Sequence, residues 1–184
     1  MKDTRELILD AALVVFSTKG YVSAATLEIA KEAGVAEMTL FRHFQTKKNL
    51  LMESVKYGLG ISLNEEEIQE NYPSLSELIV HILHQKMSLI SNHSPLIKML
   101  IRETLSHTLP EDLEITRIIS NQVTEKIARH IEIHSIELDP KSLSDLVVGW
   151  LLRYAIMEEK PMYHLLDEHE QQKFLNQYIR ILNI

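Results

Sequence analysis

Leu7, Ile8, Ala11, Ala12, Val15 and Phe16 recur at the three-and-four spacing that lines one face of a helix. Asp3 stands just ahead of that run, Glu6 follows it three residues on in capping-box register, and Gly20 supplies the stop. The pattern predicts a first helix. "TLEIAKEAG", 26–34, repeats the logic at shorter length, with Thr26 as N-cap, Ile29, Ala30 and Ala33 inward, and Gly34 free to take the left-handed conformation that closes a helix. A third short helix is expected after Val35, with Leu40 and Phe44 looking inward. A fourth starts behind Thr46, whose hydroxyl can cap the run from Lys47 that turns Leu50, Leu51 and Val55 to the core; Gly58 and Gly60 are expected to interrupt it.

Beyond residue 60 the punctuation changes. All five prolines lie there, and Ser94-Pro95 and Asp139-Pro140 read as an N-cap followed by a first-turn proline, while Ser74 and Glu77 form a capping box after Pro73. These signals predict helices near 74–92, 95–107, 110–134, 140–159 and 167–182. "IEIHSIEL", 131–138, alternates like a strand, but the chain offers it no sheet partner, so it is expected to be a helix end and loop. The expected fold is all-α with about nine helices, split into residues 1–50 and a larger body of 51–184.

Composition narrows the classes of function. With 184 residues and 45% apolar content, the chain can bury a real core. No stretch approaches the roughly 18 apolar residues that span a bilayer, and the N-terminus lacks a signal peptide's order, so a cytoplasmic protein without membrane contact is expected. The absence of cysteine removes disulfides, thiolate nucleophiles and most structural zinc sites. The net charge of −7 is uneven: residues 1–56 carry 8 Lys/Arg against 7 Asp/Glu, whereas the remainder carries 11 against 19. A phosphate-bearing partner would therefore meet the N-terminal third.

Two short helices joined by a turn that begins at a glycine make a helix-turn-helix, whose second helix enters the DNA major groove. On that helix Leu40 and Phe44 face the core, while Met38, Thr39, Arg42 and His43 cover the opposite arc. A thioether, a hydroxyl, a cation and an imidazole suit base edges and phosphates; a merely solvated polar face is the competing account. His81 with His84 and His130 with His134 have helical spacing that could chelate a metal, but no carboxylate pattern joins them, and they are expected to be surface histidines. No G-x-S-x-G or phosphate-cradling glycine loop occurs, so neither an enzyme nor a cofactor is expected.

Ile8, Ala11-Ala12, Phe16, Gly20-Tyr21, Thr26, Ile29-Ala30, Ala33-Gly34-Val35, Thr39-Leu40-Phe41, His43-Phe44, Lys47 and Leu50-Leu51 resemble the N-terminal signature of the TetR (tetracycline-repressor-like) family. The resemblance covers roughly 45 residues. It implies a homodimeric one-component regulator, usually a repressor, that binds a near-palindromic double-stranded operator and releases it when an unidentified small-molecule inducer occupies the helical body. It further implies phosphate contacts from Thr26 and Lys47 and a place for His43 in the reading helix, beside Glu37, Met38, Thr39, Phe41 and Arg42. Three departures set this chain apart: Ala36 stands where a capping Ser or Thr is usual, a loss of ~1 kcal/mol, Met38 replaces a small residue, and Phe41 replaces a tyrosine. Met99, Glu103, Trp150 and Tyr154 are the candidate ligand contacts. Leu143, Val147 and Leu151, with Phe174, Tyr178, Ile179 and Leu182, form apolar stripes expected to build a four-helix dimer interface. A ligand-independent dimeric DNA-binder and a helical enzyme with an unrecognised site are the alternatives.

Overall fold

The Asp3 side chain accepts from the Glu6 amide at 2.8 Å and the Glu6 carboxylate accepts from the Asp3 amide at 3.2 Å, so both halves of the expected capping box are made. They open α1 (Thr4–Lys19), which ends at Gly20. The structure is a computed structural model and describes residues 2–59, 72–109, 115–157 and 161–182. Among these residues there are nine α-helices and no strand: α2 (Thr26–Glu32), α3 (Glu37–Phe44), α4 (Lys47–Leu59), α5 (Leu75–Asn92), α6 (Ser94–Leu105), α7 (Ile115–His134), α8 (Pro140–Met157) and α9 (Glu168–Leu182) follow α1. The start of the helix expected from residue 110, the end of the one expected to reach 159, and Gly60 lie outside the described residues. The alternating segment at 131–138 is the end of α7 and a turn, with Ser135 at φ 49°.

Two starts and one stop differ from the sequence reading: Ser94, expected as an N-cap, is the first residue of α6. The N-cap of α2 is Ala25, which offers no side-chain hydrogen bond, and Thr26 is the first helical residue. Gly58 does not interrupt α4: it lies inside the helix, where a Cβ would come within 2.7 Å of a Leu13 methyl. Its smallness serves close packing of α1 on α4. Thr46 and Asp139 cap as expected, accepting from Asn49 N at 3.0 Å and Ser142 N at 2.8 Å. The 3-10 turn Tyr163–Leu165 has no signal in the sequence pattern.

The described chain divides into two compact units. The first joins α1–α4 with α6 from Pro95 onward. Its core holds Ile8, Leu9, Ala12 and Phe16 of α1, Ile29 and Ala30 of α2, Leu40 and Phe44 of α3, and Leu50, Leu51 and Val55 of α4, all buried. Each large side chain among them contributes about 1.5–3 kcal/mol on leaving water. Arg5 of α1 reaches Glu53 of α4 at 2.7 Å, and its guanidinium lies 5.5 Å from the centre of the Phe44 ring.

The second unit joins α5, α7 from Thr116, α8, α9 and the 3-10 turn. α5 packs on α8, α9 and the turn, burying Leu78, Ile79, Ile82, Leu83 and Met87 with Val147 and Leu151 of α8 and Leu175 of α9. Tyr163 is the anchor of the turn. Its amide donates to the Tyr154 oxygen at 2.9 Å, its own oxygen lies 2.8 Å from His84 Nδ1, and burial, then the neighbouring Tyr154, pushes its phenol up to about 12. Ser91 clamps the next residue, accepting from His164 N at 3.2 Å.

Candidate nucleic-acid interface

The turn between α2 and α3 is closed by two hydrogen bonds, Val35 N to Ala30 O at 2.9 Å and Gly34 N to Lys31 O at 3.1 Å, with Gly34 at φ 68°. That pair is a Schellman motif, and it satisfies the last carbonyls of α2 while turning the chain into α3. α3 starts without a side-chain cap at Ala36, as the sequence implied, and Glu37 stands in its first turn. Leu40 and Phe44 are buried against the unit's core. The opposite arc is open: Met38 is 80% and Phe41 37% exposed, Arg42 and His43 are exposed, and Thr39 is half-buried.

Two residues expected at phosphates hold protein partners as well. Thr26 donates its hydroxyl to the Glu37 carboxylate at 2.7 Å, which ties the first residue of α2 to the first residue of α3. Lys47 donates to the Val22 carbonyl at 3.1 Å, and its ammonium lies 4.9 Å from the centre of the Tyr21 ring. Partial burial lowers its pKa from the ordinary lysine value, and the Glu103 charge acts in the opposite direction. An ammonium has three donors, so one carbonyl leaves two for a phosphate. The sequence reading named neither Tyr21 as the surface under Lys47 nor Arg5 as the cation over Phe44. The pattern quoted Gly20-Tyr21, but only the folded loop shows which lysine lies over that ring.

Glu103 sits deeper in the same unit. It is 8% exposed, accepts from the Thr108 hydroxyl and lies 3.6 Å from Arg102 Nη2. Its carboxylate occupies the space a side chain at Gly20 would need. Met99, also buried, belongs to this unit, whereas Trp150 and Tyr154 belong to the other. In the second unit the Trp150 ring lies 4.9 Å from that of Tyr178, tilted by 54°, and the Tyr154 oxygen accepts from the Tyr163 amide. A surface cavity of about 590 Å³ there is lined by Tyr72, Glu77, His81, His84, Gln172 and Asn176 among others, and by none of the four candidate ligand residues.

The apolar stripes divide by exposure. Leu143, Val147, Leu151 and Tyr178 are buried in the chain's own core, while Phe174, Ile179 and Leu182 are half-buried. What α8 and α9 leave open is Leu146, Ile156, Met157 and Ile181. The histidines also divide. His84 is bonded to Tyr163, and His130 is not on the surface as expected: it is 7% exposed, its ring lies 4.3 Å from that of His134, and its Nε2 has no hydrogen-bond partner among the described residues. Among the described residues no cluster of three or more His, Asp or Glu could hold a metal, and no helix is long and apolar enough to cross a membrane.

Residues 8–53, which contain α2, α3 and the turn between them, match the family model described as bacterial regulatory proteins, tetR family. This N-terminal domain is a tetR-family domain. Its relatives include the HTH-type transcriptional regulator AcrR of Shigella flexneri, 34% identical over 93 residues, which are 47% of this chain and 43% of the relative. The fatty acid metabolism regulator protein of Bacillus subtilis is 33% identical over 89 residues, 47% of this chain and 46% of its own. The chain thus matches about half the length of these relatives. Over nearly the whole chain the same fold recurs in the structure of AibR in complex with isovaleryl coenzyme A and operator DNA, with a TM-score of 0.67, 19% identity, and coverage of 95% of this chain and 97% of that one.

Proposed function

We propose that this chain is a dimeric transcriptional repressor of the tetR family, not an enzyme, that binds a near-palindromic operator and is released from it by a small-molecule inducer. The observation that carries the reading is the open arc of α3, with Met38, Thr39, Arg42 and His43 facing outward from a helix-turn-helix whose inward residues are buried. Residues 1–50 are the DNA-binding domain and 51–184 the ligand-binding and dimerisation domain. Thr26 and Lys47 fix the register on phosphates at helix N-termini, and Glu37, Met38, Thr39, Phe41, Arg42 and His43 face the groove. Leu146, Ile156, Met157 and Ile181 give a second copy an apolar surface on α8 and α9. The relatives, themselves regulators, support the regulator, and the AibR complex supports an operator and a small-molecule ligand on one fold.

A two-fold dimer presents its reading helices about one DNA turn apart, ~34–36 Å. Selection of bound duplexes from random DNA should therefore enrich a motif with two-fold symmetry, and recovery of no symmetric motif would overturn the reading. A ligand that favours one of two protein states typically changes operator affinity by ~5–150-fold, and operator must weaken that ligand's binding by the same factor. Titrating a ligand with and without operator checks this reciprocity; equal affinities would leave a DNA-binder that the ligand does not regulate.

A further inference from the structure

We propose that Lys86 of α5 and Gln122 and Lys126 of α7 form a binding site for an oxyanion, the carboxylate or phosphate of a small acidic ligand. Lys86 is part-buried, and its ammonium donates to the Gln122 side-chain oxygen at 3.3 Å. Its charged form is opposed first by burial and second by the charge of Lys126, and no described carboxylate offsets either. Gln122 and Lys126 are one helical turn apart on α7, a spacing that puts their side chains on one face, about 5–6 Å apart at Cβ. A further turn along is His130, 7% exposed, with its Nε2 buried and unpartnered. A lysine and a carboxamide from two helices thus meet, with the charge of a second lysine acting on the first, and one helical turn beyond Lys126 stands an imidazole nitrogen with no hydrogen-bond partner among the described residues.

Polar groups taken from water are almost always paired, and a lysine withdrawn from solvent is seldom left without an anionic partner. A purely structural position at 86 would be better filled by methionine, or by a lysine facing a carboxylate. An oxyanion placed between the two ammonium groups changes the sign of the arrangement. Their mutual repulsion is replaced by attraction to a shared charge, and the donors left on Lys86 form charge-assisted hydrogen bonds. Gln122 suits the same task, because the amide whose oxygen accepts from Lys86 has two N–H donors of its own. This site rests on the reading of the helical body as the ligand-binding part of the protein, and it assigns that ligand an acidic group.

The test titrates the full chain, without DNA, with inorganic phosphate, octanoate and coenzyme A in separate calorimetric experiments at fixed ionic strength. At least one probe is expected to bind, with a Kd at least tenfold weaker in Lys126→Ala and in Lys86→Met and within about threefold of the parent in Lys126→Arg. Binding of phosphate or coenzyme A alone assigns a phosphate, and binding of octanoate alone a carboxylate. Lys126 is exposed, so its variant decides the matter if Lys86→Met fails to fold. Failure of all three probes to bind, or an unchanged Kd in Lys126→Ala, overturns the site. Duplex selection is a separate measurement, so loss of this proposal and loss of the repressor reading are told apart.

Discussion

Glu37 carries a negative charge to the start of α3, the helix proposed above to face DNA, where it would repel phosphates, and the structure gives it an occupation inside the protein. Its carboxylate accepts from the Thr26 hydroxyl at 2.7 Å. Replacing it by the isosteric glutamine turns a charge-assisted bond of ~1.5–3 kcal/mol into a neutral one of ~0.5–1.5 kcal/mol. It also removes an acid from the first turn of α3, a further ~0.3–1 kcal/mol. Glu37→Gln should therefore destabilise the protein by about 1.5 kcal/mol, a fall in Tm of roughly 3–6 °C for a chain of this length. On DNA the sign reverses. A unit charge roughly 7 Å from a phosphate in water is worth about 0.6 kcal/mol, reduced further by salt, so binding should tighten about twofold. The gain should be equal for the selected operator and for a scrambled duplex of the same length. Thermal melts and fluorescence anisotropy on the two duplexes measure both quantities. If the variant instead lost affinity for the operator alone, Glu37 would be accepting from a base, and the Thr26 bond would not survive in the complex.

Arg42→Ala should cost ~1–3 kcal/mol against the preferred bases only, whereas Lys47→Ala should weaken binding to every duplex alike; a change of sequence preference in Lys47→Ala would refute its place on the phosphates. Gly20, at φ 81° and ψ 167°, lies where only glycine is at ease, and a methyl there would also displace the Glu103 carboxylate, so Gly20→Ala should cost about 3–5 kcal/mol in urea unfolding. Gly34→Ala, at φ 68° with open space around it, should cost only ~1–2 kcal/mol, and equal costs would mean that Glu103 yields freely. The Tyr163 phenol is held at about 12 against 10.0 in the unfolded chain. The unfolded state therefore loses its proton first, and stability present below pH 10 should fall by up to about 3 kcal/mol by pH 12. Tyr163→Phe should lack that decline, as stability curves of the two proteins at pH 9 and pH 12 would show.

Local chemistry made much of this fold legible. Asp3 with Glu6, Thr46 and Asp139 act through bonds within three residues, so their types at that spacing are enough to place α1, α4 and α8. The turn at Gly34 was readable for the same reason. What failed depended on neighbours remote in the chain. Gly58 looks like a helix breaker until Leu13 is seen against it, and the four-residue spacing of His130 and His134 does not reveal that the first is buried. Periodicity shows that α8 and α9 have apolar stripes, but not which residues their own core takes; Leu143, Val147 and Leu151 are taken, and Leu146 is not. At the reading head the residue types on α3 were legible and their partners were not. A carboxylate at 37 bonded to a hydroxyl at 26 is a tertiary fact.

The hollow at Gly20, filled by Glu103 from a helix more than eighty positions away, bears on how far the DNA-reading part can be moved to another protein. A fragment cut after α4 would keep every residue of the helix-turn-helix and lose the side chain that closes the end of α1. Grafted to a foreign body, such a fragment would carry an uncovered glycine and a Lys47 without its counter-charge. A chimera that preserves the head must bring α6 with it. Although the recognition sequence is continuous in the chain, the smallest transplantable reader is assembled from two separate segments.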